Sequence, residues 1–291
     1  MSHEAARGIF VVETGTADGK VGVIVGRRSA LAVDAGIDGR EGAELAEAVR
    51  GTGHAPEWLA YTHGHVDHVL GSTAFPGANF VATRAAADHI REQLDDWAVR
   101  ERTSPEDLAS RLGFPTIIFQ DDLELDVGGR TVQLFTAAGH APGAVCVHVP
   151  DAKTLFGGDT VVTGIPPYFK DGDSGTLERT LRRLADLDIE VLVPGHGPLV
   201  HGRTQVRAAI LREAEYIARC REHVIAHPDD DLPALVAGAP YEDLIGDWLP
   251  ADRHRMVWRH ERTMVNLLAE RARGALTPAA RPRSEREPRC P

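Results

Sequence analysis

Three imidazoles and a carboxylate crowd into six residues, His63-Gly64-His65-Val66-Asp67-His68, and this run constrains the chain more than any other feature. So many polar, titratable side chains cannot all be buried as core, and a solvated loop has no need of them. Imidazole suits Zn²⁺, iron or manganese, and a carboxylate adds negative charge that offsets the ion. Consecutive residues point in different directions. A tight loop can therefore aim two histidines at one ion and Asp67 with His68 at another. The run follows the short apolar stretch 58–61, read as a strand, so the loop sits at the end of a buried element.

Three other positions share that setting. His140 lies in Gly139-His140-Ala141-Pro142-Gly143, Asp159 in Gly157-Gly158-Asp159-Thr160, and His196 in Pro194-Gly195-His196-Gly197-Pro198. Each follows a short apolar run and has glycine beside it, which lets the backbone turn sharply and approach an ion closely. A single histidine beside Gly-Pro is more often a loop histidine than a ligand. The joint pattern carries the weight.

The rest of the chain reads as one core with an appendage. Strand character is expected over 9–13, 21–25, 30–33, 123–127, 131–136, 144–149, 154–156 and 191–193. Residues 41–50 carry Leu45, Ala46 and Val49 at helical spacing. One polar helix is expected over 85–102, where Trp97 fits a pocket roof or a core anchor equally well, with a turn at 107–112. An amphipathic helix is expected over 177–187, and long charged helices over 205–227 and 252–273. The expected organisation is a core domain over 1–205, a helical extension over 206–275 and a disordered tail over 276–291, where prolines and arginines replace apolar residues.

Composition narrows the function. Apolar residues make up 43% of the 291, enough for a sizeable core. A net charge of -11 supplies no general attraction to nucleic acid or anionic membrane, so neither is expected as a partner. The three cysteines are widely spaced and spell no disulfide framework or thiolate metal site; Cys146 reads as a buried strand thiol. The first ten residues lack the pattern of a secretory signal, and no apolar run reaches the ~18 residues that span a bilayer. A cytoplasmic location is the expectation.

The ordered set His63, His65, Asp67, His68, His140, Asp159 and His196 resembles the metallo-β-lactamase superfamily in its glyoxalase II-like branch, over roughly residues 8–205. The resemblance implies an α/β fold, a four-layered αββα sandwich with the site along one edge of its sheets. It implies two divalent metal ions, zinc first, with iron or manganese as alternatives. One would take His63, His65 and His140, the other Asp67, His68 and His196, and Asp159 would bridge them. Asp34, in Val33-Asp34-Ala35-Gly36, matches the family's first motif and is expected to buttress the metal loop. The implied chemistry is attack on a carbonyl carbon by a hydroxide shared between the ions. Asp67 would orient it and later hand on a proton. No Gly-x-Ser-x-Gly elbow offers another nucleophile.

Within the superfamily the sequence excludes more than it selects. Asp159 disfavours lactam hydrolysis. The Cys-Gly-Arg type of segment that follows the bridging aspartate in glyoxalase II and sulfur dioxygenases is replaced by Thr160-Val161-Val162-Thr163-Gly164, which argues against glutathione thioesters and persulfides. Thioesters, esters and lactones of small acyl groups remain as substrates. Pro166-Pro167-Tyr168-Phe169 fits a pocket wall, with Tyr168 as a substrate contact, and His201 is a further candidate for reaching the site. The C-terminal helices are expected to pack on the core, shape the mouth or bury a homodimer interface. Two other readings use the same ligands: a non-heme iron dioxygenase acting on a sulfur substrate, and a weakly catalytic binding or sensing module.

Overall fold

The computed structural model describes residues 2–15, 18–245 and 253–276, so the expected tail lies outside the described residues except for Leu276, which packs partly buried against the core. The first sheet holds β1 (Ser2–Ala6), β2 (Ile9–Glu13), β3 (Lys20–Val25), β4 (Ala30–Val33), β5 (Trp58–Ala60), β6 (Asn79–Thr83) and β7 (Ile117–Phe119), paired in chain order. β1 to β4 form an antiparallel meander, and β4 to β7 run parallel. The second sheet holds β8 (Leu123–Asp126), β9 (Thr131–Thr136), β10 (Val145–Val149), β11 (Thr154–Gly158), β12 (Val191–Pro194) and β13 (Val200–His201), again in chain order, with β11 and β12 parallel.

Side chains alternate between the two faces of a strand, and that period builds the layers. In β4, Leu31 and Val33 enter the cluster between the sheets, where they meet Val147, Phe156 and Val193 of the second sheet. Ala30 and Ala32 face the other way, toward α1 (Gly39–Gly51), α2 (Val66–Val69), α3 (Arg84–Glu92), α4 (Leu94–Glu101) and α5 (Pro105–Arg111), the helices of the first outer layer, which contributes Leu45, Ile90, Trp97 and Leu108. The second outer layer holds α6 (Ser174–Leu184), α7 (Arg203–Ala226), α8 (Leu232–Gly238), α9 (Tyr241–Ile245) and α10 (Arg253–Ala272). Leu181, Ile217 and Leu267 from this layer share one cluster with Cys146, Leu155 and Leu192 of the second sheet. The result is the expected four-layered αββα sandwich. Each fully buried aliphatic side chain contributes roughly 1.5–3 kcal/mol, and all three clusters are rich in them.

Two local expectations change. The helix expected over 85–102 is two helices, broken at Gln93, whose amide nitrogen reaches the Gly64 carbonyl at 2.7 Å and the His89 carbonyl at 3.2 Å. Trp97 is an anchor of the outer core rather than a roof. Strands β1, β6 and β7 show no apolar–polar alternation that sets them apart: β1 is largely polar and exposed, β6 and β7 are short continuous apolar runs, and pairing with neighbours recruits all three. Side-chain caps start the helices that flank the site: Asp38 accepts from the Glu41 amide at 2.8 Å to begin α1, and Asp173 from the Thr176 amide at 2.6 Å to begin α6. Such a cap is worth about 1 kcal/mol. No helix among the described residues is long and apolar enough to cross a membrane.

Candidate metal centre

The polar residues gather where parallel strands end. Asp34 follows β4, the His63–His68 run follows β5, Asp159 follows β11, and His196 comes two residues after β12. His140 lies in the loop between β9 and β10. Backbone bonds draw the two sheets' loops together here: Val145 N donates to Thr62 O at 2.8 Å, and Lys20 N to Gly195 O at 2.9 Å.

Hydrogen bonding decides which nitrogen of each imidazole is left to bind an ion. The Tyr168 carbonyl can only accept, so the 2.6 Å contact makes His140 Nδ1 the donor and leaves the Nε2 lone pair free. Asp171 Oδ2 accepts from His65 Nε2 at 3.0 Å, freeing Nδ1. Asp34 Oδ2 accepts from His68 Nδ1 at 2.8 Å, freeing Nε2. The Thr62 hydroxyl donates to Asp34 Oδ2 at 2.8 Å, so it accepts from His63 Nδ1 at 3.0 Å and leaves His63 Nε2 free. The three freed nitrogens of His63, His65 and His140 then face one another, with His65 Nδ1 2.9 Å from His63 Nε2 and 3.0 Å from His140 Nε2. Lone pairs converging at that range repel unless a cation lies among them.

A second group forms beside the first. His196 Nε2 is 3.2 Å from Asp67 Oδ2 and 3.2 Å from Asp159 Oδ1, and His68 Nε2 is 3.3 Å from Asp159 Oδ1. Asp159 turns its other oxygen, Oδ2, toward His140 Nε2 at 3.8 Å. One carboxylate thus spans both groups. His68 Nε2 and Asp159 Oδ1 are buried without a hydrogen bond that satisfies them, a costly state that a divalent cation relieves. Within each of the groups His63/His65/His140 and Asp67/His68/His196, the ligand atoms lie within 4.8 Å of one another. Nitrogen and oxygen donors without a thiolate suit Zn²⁺, iron or manganese. Gly195 keeps the arrangement compact, because a Cβ there would sit 2.1 Å from Asp159 Oδ1. Asp34 adopts a left-handed backbone (φ 58°), strain held at a position that bonds both Thr62 and His68.

The electrostatics divide the same way. Burial, reinforced by the neighbouring histidines, holds His63 well below its ordinary value; burial likewise lowers His140 to about 3, so both are neutral at pH 7, the state in which an imidazole can bind a cation. Burial also opposes the His68 and His196 cations, but carboxylates outweigh it. Asp34, Asp159 and Asp67 lift His68 well above its usual range, and Asp159 with Asp67 lifts His196 to about 9. Burial opposes ionisation of Asp67 and Asp159 too, yet the facing imidazoles hold both below the usual carboxylate range. Without cations, protonation of His68 and His196 would balance the acidic half of the cluster, in the positions where cations would act.

The candidates outside the cluster fare differently. Tyr168 is half-buried; its carbonyl holds His140, and its ring lies 6.2 Å from that of Trp258 on α10. His201 is not brought to the cluster. It is exposed on β13 opposite Val191, at the end of β12 remote from His196, because the chain doubles back after Pro198. Sequence reasoning missed Asp171, which orients His65, and His89, whose Nε2 lies 4.0 Å from Asp171 Oδ2. It also missed Gln93, which latches the Gly64 carbonyl, and Glu213, a buried carboxyl on α7 that accepts from Val162 N at 3.2 Å and is raised well above its usual range by burial. No motif spacing marks these four; they come from separate elements.

Comparison with known proteins follows this geometry. The family model for the metallo-beta-lactamase superfamily matches residues 15–196. The chain is 28% identical over 171 residues to the acyl-coenzyme A thioesterase MBLAC2 of Homo sapiens, covering 52% of this chain and 59% of the relative. It is 28% identical over 159 residues to a hydroxyacylglutathione hydrolase of Acidiphilium cryptum, covering 54% of this chain and 56% of the relative. The chain therefore spans less than two thirds of each. Among solved structures, a metallo-beta-lactamase family protein from Thermus thermophilus superposes with a TM-score of 0.66 at 18% identity, over 92% of this chain and 95% of that one.

Proposed function

The chain belongs to the metallo-β-lactamase superfamily, in its glyoxalase II-like branch, and from that premise we propose that it is a binuclear metal-dependent hydrolase of small acyl thioesters. The observation that carries the reading is Asp159, with one carboxylate oxygen toward His68 and His196 and the other toward His140. A carboxylate so placed could serve both groups of donors, one oxygen to each. Relatives named as an acyl-coenzyme A thioesterase and a hydroxyacylglutathione hydrolase support the thioester as the bond cleaved. The segment after Asp159 lacks the Cys-Gly-Arg type of sequence and favours a carrier other than glutathione.

His63, His65 and His140 would hold one divalent cation and Asp67, His68 and His196 another, most suitably zinc, and when bound these would supply Lewis acidity that lowers the pKa of water and polarises a carbonyl. The chain's own residues do the rest. Asp67 is ionised and a quarter exposed, so its carboxylate can orient the attacking water from the open side. Water adds to the carbonyl carbon, the C–S bond breaks, and the sulfur leaves with the bonding pair. Asp67 takes the proton from water and passes it to the departing sulfur, giving a carboxylic acid and a thiol. Asp34 and Thr62 hold His68 and His63 in the tautomers that ligation needs. Tyr168 is proposed to line the acyl pocket. The test is a hydrolysis screen of zinc-loaded protein across acyl-CoA, acyl-glutathione, ester and lactone substrates. Thioester turnover that chelation abolishes and zinc restores is the expected result. One bound iron with oxygen uptake and no hydrolysis would replace this reading with an oxygenase.

A further inference from the structure

The two ligand groups are braced from different parts of the chain. Asp34, at the end of β4, holds His68 directly and reaches His63 through Thr62. On the His63/His65/His140 side a single irregular stretch, residues 166–173, holds two of three ligands. Tyr168 O accepts from His140 Nδ1 at 2.6 Å, and Asp171 Oδ2 accepts from His65 Nε2 at 3.0 Å. Its own main-chain bond runs from Gly172 N to Phe169 O at 3.0 Å. At Pro166 and Pro167, which have no N–H, only the carbonyls can form main-chain hydrogen bonds.

Helix α10 supplies the missing partners. Thr263 Oγ1 donates to Pro167 O at 2.8 Å, and Arg259 Nη1 to Pro166 O at 3.4 Å. Near the other end of the stretch, Glu270 accepts from the Ser174 amide at 2.7 Å and from its hydroxyl. The adjoining Asp173 amide donates to Gly139 O at 3.0 Å, beside His140. Thr263 is 0% exposed and Glu270 2%, so these bonds form away from competing water.

We propose that α10 is a brace for one side of the cluster: through the 166–173 stretch, Thr263 and Glu270 are positioning residues that set cation affinity at His63/His65/His140 rather than at Asp67/His68/His196. The proposal rests on the binuclear reading above. It assigns the C-terminal helix a part in the metal centre without any contact with an ion.

Graded competition with a zinc chelator, followed by metal content per chain, tests it in the wild type, Thr263→Val, Thr263→Ser and Asp171→Asn. The wild type should release two ions. Thr263→Val should surrender one of them about tenfold more readily, the lower end of what loss of a ligand's outer partner costs, and keep the other at its wild-type affinity. Thr263→Ser retains the hydroxyl and should restore the wild-type curve. Asp171→Asn should weaken the same ion as Thr263→Val, which identifies the site. Equal weakening of both ions alongside a lower melting temperature would mean a general structural role and overturn the proposal, as would no change in either. A wild type that holds only one ion would overturn the binuclear reading and this inference together.

Discussion

Asp67 can be removed from the chemistry without removing it from the fold. It is a quarter exposed, it lies in the single turn of α2, and its contacts are to His196 and His68. Asp67→Asn keeps the size and one acceptor oxygen but loses the charge that orients water and takes its proton. Thioester hydrolysis should fall by at least about 100-fold, in the range expected for loss of a general base, while the circular dichroism spectrum stays unchanged. A variant at full rate would sink the role given to this carboxylate. Asp171 makes a different point at the same scale. It is a polar residue in a Gly-containing coil, indistinguishable in sequence from any solvated loop aspartate, and only its 3.0 Å approach to His65 gives it a task.

At the scale of elements, the break at Gln93 and the placement of α10 matter most. Helical periodicity runs through 85–102, but Gln93 gives up the helix so that its amide can hold the Gly64 carbonyl. The long C-terminal helices were legible from their spacing, and their packing partners were not. Leu267 of α10 is 0% exposed and shares a cluster with Leu181, Leu192 and Ile217. Leu267→Ala should cost about 2–5 kcal/mol, read as a lower urea midpoint in a single transition. An early, separate unfolding phase would show that α10 is not cooperative with the sandwich.

At the scale of the molecule, the cluster couples stability to pH and metal. In the metal-free protein His196 is raised from 6.5 to about 9, so the folded state holds a proton that the unfolded state has shed across that window. The corresponding stability is full below pH 6.5 and lost as pH rises through about 9. Asp159 is depressed, so its contribution is present above the usual carboxylate range and lost on acidification. Chelated protein should therefore melt at progressively lower temperature from pH 6.5 to about 9. Zinc-loaded protein should not, because the cations replace those protons. Calorimetry with and without chelator checks this; parallel curves would mean that the protons and the metal do not share the site.

The candidate ligand types, their order along the chain and the strands that carry them were legible in the amino-acid sequence, because imidazole and carboxylate beside glycine at strand ends have few other uses. The apolar runs likewise announced most of the strands and the long helices, while the two-sheet sandwich followed from the family resemblance that the histidines and aspartates carry. What tertiary structure alone decided is which atoms face inward and what holds them there. Those answers depend on contacts between residues far apart in the chain: Asp34 with His68, Tyr168 with His140, Asp171 with His65 and Thr263 with Pro167. His201 shows the converse, since its closeness in sequence to His196 says nothing once the strand turns back on itself. Local spacing encodes local geometry; the partners that orient a ligand are chosen by packing, which no short stretch of sequence records.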